Sequence, residues 1–162
     1  IGLKKGDEVI VPAQTHAATA HAAELTGAKV IFADVDPLNG NILFSQIKKK
    51  VTKKTKCIII VHMTGYPCDM KNITKFCKDK KIKLIEDCAH AVGTKYKNKH
   101  VGNFGVCGVF SFYPTKQITT GEGGIFITNN KKLIRTLKWK PKYFKLSTII
   151  KSCIKWEKRI HR

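Results

Sequence analysis

Several residues able to carry proton or nucleophilic chemistry stand at the ends of apolar runs in this chain. His16 follows "EVIVPAQT", His62 and Tyr66 follow "KCIIIV", and Asp87 and His90 follow "IKLIE". Ser111 and Lys116 follow "GVCGVF". A lysine becomes a nucleophile or base when its amine is neutral, which requires desolvation or a neighbouring positive charge. Lys116 lies between the turn-forming "YPT" and "QITTGEGG", whose glycines allow close backbone approach. Local sequence alone reads it as an exposed loop lysine, the ordinary state of a charged side chain.

Asp87 closes a strand-like run with Glu86 beside it. A buried carboxylate there is costly without a partner. Asp87 is readable as a helix cap, a metal ligand, or the partner of a cationic group on a cofactor. His90 lies close enough in sequence to share a site with it. No second His or Glu is spaced to complete a metal shell, and the expectation is no metal. Ser111 has the chemistry to donate to a phosphate, although serines at strand ends commonly bond local backbone.

Positioning such residues needs a scaffold, and the pattern of the chain supplies one. A strand at 8–12 precedes a helix at 15–27, for which Thr15 is a candidate N-cap and Gly27 the stop. A strand at 29–36 and the turn "DPLNGN" lead to a helix at 43–51. The β-branched run "KCIIIVHM" is a third strand, followed by a helix from Met70 capped by Asp69. Strands at 82–89, 105–112 and 123–130 complete the series. Alternating strands and helices predict an α/β fold: a three-layer, mostly parallel sheet with helices on both faces. In such sheets chemistry gathers at the carboxyl ends of the strands, where the residues above stand. The connection between the fifth and sixth strands is too short for a helical crossover, so that pair is antiparallel or not adjacent.

The chain has 162 residues, 31 Lys plus Arg and 11 Asp plus Glu, for a formal charge of +20. Runs such as "IKKKVTKKTK" are read as solvated faces, and no nucleic-acid motif accompanies them; no nucleic-acid partner is expected. An anionic small substrate is compatible with this charge. No apolar run approaches the roughly 18 residues of a membrane span, and the first residues lack a signal-peptide pattern. A cytoplasmic protein with no membrane partner is expected. The six cysteines show no CxxC or CxxxC pair, and are read as small, reduced hydrophobes.

The order of these elements carries a resemblance. The stretch 85–130, "IEDCAHAVGTKYKNKHVGNFGVCGVFSFYPTKQITTGEGGIFITNN", strongly resembles the DegT/DnrJ/EryC1/StrS family of pyridoxal-phosphate-dependent sugar aminotransferases. The segments "KGDEVIVPAQTHAATAHAAELTGAKVIFADVDPLNGNI" and "VHMTGYPCDM" resemble its preceding parts in the right order. The resemblance implies the large domain of the fold-type I, aspartate aminotransferase-like transferases, here incomplete. It implies that Lys116 forms the Schiff base with pyridoxal 5'-phosphate and that Asp87 pairs with the pyridinium nitrogen. His90 stands where the family has Gln or His near the cofactor's 3'-oxygen. Ser111 matches a serine that holds the phosphate, and His16 takes the place of an aromatic residue stacked on the ring. Catalytic roles thus fall to Lys116 and Asp87; His16, Asp87, His90, Ser111 and Lys116 contact the cofactor.

A dehydratase branch of the family has histidine where the aminotransferases have lysine, so Lys116 favours transamination. The implied substrates are a nucleotide-linked keto-sugar and an amino donor, glutamate, and the implied assembly is a homodimer. The resemblance covers about residues 4–137. The reading therefore expects a partial PLP-binding domain at 1–137 and an atypical tail at 138–162, as in a truncated or frame-shifted fragment. The resemblance implies that the family's small-residue Gly/Ser/Thr phosphate turn belongs before Ile1, and this turn is expected to be missing here. The alternative function is an inactive remnant or a non-catalytic binding or structural module.

Overall fold

The computed structural model describes residues 1–136. The expected tail at 138–162, with Cys153, lies outside the described residues. Among the described residues eight strands and four helices run in the order β1 (Glu8–Pro12), α1 (Ala18–Glu24), β2 (Lys29–Ala33), α2 (Phe44–Lys50), β3 (Thr55–Val61), a 3-10 turn (Met63–Gly65) and α3 (Met70–Asp79). They continue with β4 (Lys83–Asp87), β5 (Lys95–Tyr96), β6 (Lys99–His100), β7 (Cys107–Ser111), β8 (Gly124–Ile127) and α4 (Lys131–Thr136).

Six strands form one sheet in the order β2-β1-β3-β4-β7-β8. Every pair is parallel except β7 with β8, which is antiparallel and adjacent. The twelve-residue connection 112–123 turns back on itself: Phe112 N–H donates to Gly123 O and Thr120 N–H to Phe112 O. A small hairpin of β5 and β6 stands outside the main sheet, a feature that two-residue strands cannot announce by periodicity.

Strand alternation explains the layers. Ile10, Ile58, Ile60 and Leu84 point to one face and pack with Ile47 of α2 and Met70, Ile73 and Cys77 of α3. Val9, Val11, Cys57 and Ile59 point to the other and pack with Ala23 of α1. The central strands are thus buried on both sides, as their unbroken apolar sequence requires. Each fully buried Ile or Val contributes roughly 1.5–3 kcal/mol of transfer free energy.

The helices are short and set by packing and caps. In α3, Met70, Ile73 and Cys77 recur on one face, and Asp69 Oδ1 accepts from Asn72 N–H at 3.3 Å, as an N-cap does. Helix α1 begins later than its sequence suggests. Ala17 holds the N-cap position without a side-chain cap, and His16 Nδ1 accepts from Ala18 N–H at 3.1 Å. The Thr15 hydroxyl meets the Thr19 hydroxyl instead of a backbone amide, so Thr15 is not the cap. Gly27, at φ +82°, follows the helix end, and its N–H donates to Glu24 O. Among the described residues no helix is long and apolar enough to cross a membrane.

Candidate functional site

The carboxyl ends of β1, β3, β4 and β7 meet around a cavity of about 190 Å³ lined by Gln14, His16, Asp87, Ala89, His90 and Lys116 with Thr15, Val61 and Met63. Residues far apart in the chain arrive there because parallel strands all end on the same edge. The parallel register of Val61 with Asp87 sets β3 and β4 level, and Asp87 pairs in turn with Val109 of β7.

Asp87 is the last residue of β4. Its Oδ1 accepts from Ala89 N–H at 3.1 Å, and its Oδ2 accepts from the Thr19 hydroxyl of α1 at 3.0 Å. The local turn reading and a role toward the cavity therefore coexist: each oxygen has one donor and retains capacity for another. His90 follows in the turn after β4. Lys116 Nζ lies 2.7 Å from His90 Nε2, and Lys116 is half-buried rather than exposed.

The loop geometry explains that approach. Lys116 N–H donates to Tyr113 O at 2.9 Å, closing a turn with Pro114 in the second position, where its fixed φ suits the bend. Gln117 then donates to the backbone oxygen of His90, tying the loop to the β4 turn. His16 lies at the exposed side of the cavity, its ring held by the bond from Ala18. Ser111 is not among the lining residues. Its Oγ accepts from Tyr113 N–H at 3.3 Å, the local bonding that strand-end serines often make.

His62 does not line the cavity. It is fully buried beneath it, 3.2 Å from the equally buried Glu86. Cys68 N–H donates to His62 Nδ1 at 3.1 Å, so the ring proton sits on Nε2 and is donated to Glu86 Oε2. Oε2 also accepts from Gly102 N–H at 2.7 Å, and Oε1 accepts from Phe104 and Gly105 N–H, each at 2.7 Å. Burial alone would raise the Glu86 carboxyl; these bonds from His62, Gly105 and Gly102 outweigh it and hold the carboxyl below its ordinary value.

His62, Glu86 and Cys88 place ligand atoms within 4.8 Å of one another. All four lone-pair directions of Glu86 are already engaged by N–H donors, and both ring nitrogens of His62 are used. The Cys88 thiol is pushed up by burial, with the nearby Glu86 and Asp87 adding to the effect. The Glu86 and His62 members of this cluster are thus bonded as a structural network, and the Cys88 thiol donates to the backbone oxygen of Glu86.

The sequence pattern points to Asp87 as a site residue and gives Glu86 no role of its own. Strand alternation sends Asp87 to the α1 face and Glu86 to the opposite one, and the adjacent "ED" was the signal available. Gly108 stands beside Glu86 in register, and a Cβ there would lie 2.4 Å from Gly102 Cα. Only glycine lets the 102–105 loop lie on β7 and reach Glu86.

Comparison with known proteins agrees with this fold. The profile of the DegT/DnrJ/EryC1/StrS aminotransferase family matches residues 1–146. The GDP-perosamine synthase of Escherichia coli O157:H7 is 49% identical over 133 residues, which cover 82% of this chain and 36% of that protein. The aminotransferase from Psychrobacter cryohalolentis superposes with a TM-score of 0.78 at 36% identity, covering 88% of this chain and 40% of that one. A mutant GDP-4-keto-6-deoxymannose-3-dehydratase with bound GDP-perosamine gives a TM-score of 0.77 at 37% identity, over 81% of this chain and 34% of that one. The chain thus spans little more than a third of the length of these relatives, over the sheet that carries the cavity. It belongs to the DegT/DnrJ/EryC1/StrS aminotransferase family.

Proposed function

We propose that this chain is the cofactor-binding portion of a pyridoxal-phosphate-dependent sugar aminotransferase. The observation that carries the reading is the meeting of Lys116, His90 and Asp87 at one cavity. The donor set fits pyridoxal phosphate: an amine for its aldehyde, a carboxylate for its ring nitrogen and flat imidazoles beside the ring. When bound, the cofactor supplies an electron sink for a carbanion at the amine-bearing carbon.

The residues divide the remaining work. Lys116 Nζ is the covalent attachment point and the carrier of the proton moved at the substrate carbon. His90 Nε2 shares a hydrogen bond with that amine and can exchange a proton with it. Asp87 presents negative charge to the protonated ring nitrogen, with its plane set by Thr19 and Ala89. His16 offers a planar face for stacking. Ser111, whose oxygen accepts from Tyr113, retains its O–H to donate to a phosphate oxygen.

The acceptor is a nucleotide-linked keto-sugar and the donor an amino acid, glutamate, in a cytoplasmic homodimer. The E. coli relative named GDP-perosamine synthase supports the sugar class. The dehydratase among the structural neighbours marks the competing chemistry. Lys116, where that branch carries histidine, favours amino transfer.

The test treats the full-length protein with pyridoxal phosphate, reduces it with borohydride and maps the adduct by mass spectrometry. The cofactor mass on the peptide containing Lys116, absent in Lys116→Ala, is expected. An unmodified Lys116 peptide at saturating cofactor sinks the reading.

A further inference from the structure

We propose that Thr19 is a positioning residue for Asp87, the end of a two-hydroxyl relay running from Thr15 through Thr19 to the carboxylate. The proposal rests on the aminotransferase reading of the cavity, but its geometry stands without it.

Thr19 lies on α1 and is 5% exposed. Its hydroxyl is 3.0 Å from Asp87 Oδ2 and 3.2 Å from the Thr15 hydroxyl. A hydroxyl has one proton to give. An ionised carboxylate only accepts, so the Thr19 proton goes to Asp87. The Thr15–Thr19 contact then has a single direction: Thr15 donates and Thr19 accepts. That polarises the Thr19 O–H toward the carboxylate, because consecutive hydrogen bonds strengthen one another.

The effect on Asp87 is orientational. Ala89 N–H holds Oδ1 from the turn after β4, and Thr19 holds Oδ2 from the helix on the same face of the sheet. Two donors on two oxygens fix both torsions of a short side chain. Without Thr19 the carboxylate would keep only the turn contact and could rotate about its last bond. A carboxylate that must meet one ring nitrogen works best when its plane is set before the ligand arrives. Thr19 sits three positions after His16 on the segment entering α1. One short segment thus supplies a face of the cavity and the brace for its carboxylate.

The test uses the full-length protein carrying Thr19→Val, which keeps the branched shape and removes the hydroxyl, and Thr19→Ser, which keeps the hydroxyl. The first readout is the side-chain carboxyl carbon resonance of Asp87 by NMR, without cofactor. The second is the Kd for pyridoxal phosphate by titration. Thr19→Val is expected to move the resonance and raise Kd about 10- to 100-fold, the worth of a hydrogen bond to a charged group, with the melting temperature retained. Thr19→Ser is expected to restore both. Adding Thr15→Val to Thr19→Val should weaken binding no further, since the relay is already cut.

An Asp87 resonance that stays in place in Thr19→Val overturns the proposal, as does an unchanged Kd in a protein that takes up the cofactor. If the unmodified protein takes up none, the aminotransferase reading falls. The Asp87 resonance alone then decides whether Thr19 orients the carboxylate.

Discussion

Lys116 Nζ and His90 Nε2 are 2.7 Å apart across 26 residues of chain. The contact depends on two strand ends, the turn at Pro114 and the bond from Gln117 to the His90 backbone. On the proposed aminotransferase reading, in which His90 partners the Lys116 amine in proton transfer, His90→Leu is expected to lower kcat/KM of the full-length protein about 100-fold. His90→Gln, which keeps a hydrogen-bonding group beside Lys116, should lose less. Steady-state kinetics on the two variants decides it; equal losses would show that polarity at position 90 is irrelevant.

Glu86 is expected to matter for folding more than for chemistry. In Glu86→Gln, one oxygen becomes an NH2 group facing N–H donors. His62 cannot switch tautomer without losing the bond from Cys68. Two buried donors are left without acceptors, at about 1–3 kcal/mol each. Urea unfolding should therefore show a loss of about 2–6 kcal/mol. Hydrogen exchange at Gly102, Phe104 and Gly105 should rise in the same variant. Unchanged exchange there would contradict the clasp assigned to Glu86.

The same carboxylate sets an acid limit. Its folded pKa lies below the ordinary 4.5. A depressed carboxyl stabilises the fold fully above its unfolded value, and the contribution disappears as pH falls through the folded value. Stability should drop below pH 4.5, and part of that slope should vanish in Glu86→Gln. Melting temperatures of both proteins across acid pH measure it; parallel curves would exclude Glu86 as a source.

Among the described residues five cysteines are buried and outside any disulfide: Cys57, Cys68, Cys77, Cys88 and Cys107. Burial pushes Cys57 and Cys68 up to about 12 and Cys77 to about 11, and raises Cys88 and Cys107 as well. Thiolates are the reactive form, so these residues should be inert while folded. In a Cys153→Ser background, a thiol reagent at pH 8 should label none until denaturant is added. Rapid labelling in the native state would contradict the packing described.

Gly108→Ala tests the close approach of the 102–105 loop to β7. The new methyl would stand 2.4 Å from Gly102 Cα, backbone that has nowhere to move without breaking the bond to Glu86. Overpacking at such a point costs about 1–3 kcal/mol. Urea unfolding reads this directly, and a neutral result would show that the loop shifts freely.

Much of the scaffold was legible because it is encoded locally. The β-branched runs, the glycine after α1 and the Asp69 cap act over a few residues, and periodicity reports them. The short 112–123 connection excluded a parallel crossover and left the final pair antiparallel or not adjacent; the structure makes it antiparallel and adjacent. The sequence placed His16, Asp87, His90, Ser111 and Lys116 near strand ends, and family resemblance assigned them expected roles.

What the sequence by itself determined is therefore the alternation of elements, the two-sided burial of β1 and β3, and family membership. The tertiary structure decided what each polar group meets. It set Lys116 against His90, gave Thr15 to Thr19 instead of to the helix, turned the Ser111 oxygen to Tyr113, and buried His62 on Glu86. It also sent the neighbours Glu86 and Asp87 to opposite faces with different partners. The physical reason is that a hydrogen bond requires atoms within about 3 Å. Such distances between remote residues follow from sheet order and register, which no local pattern in the chain specifies.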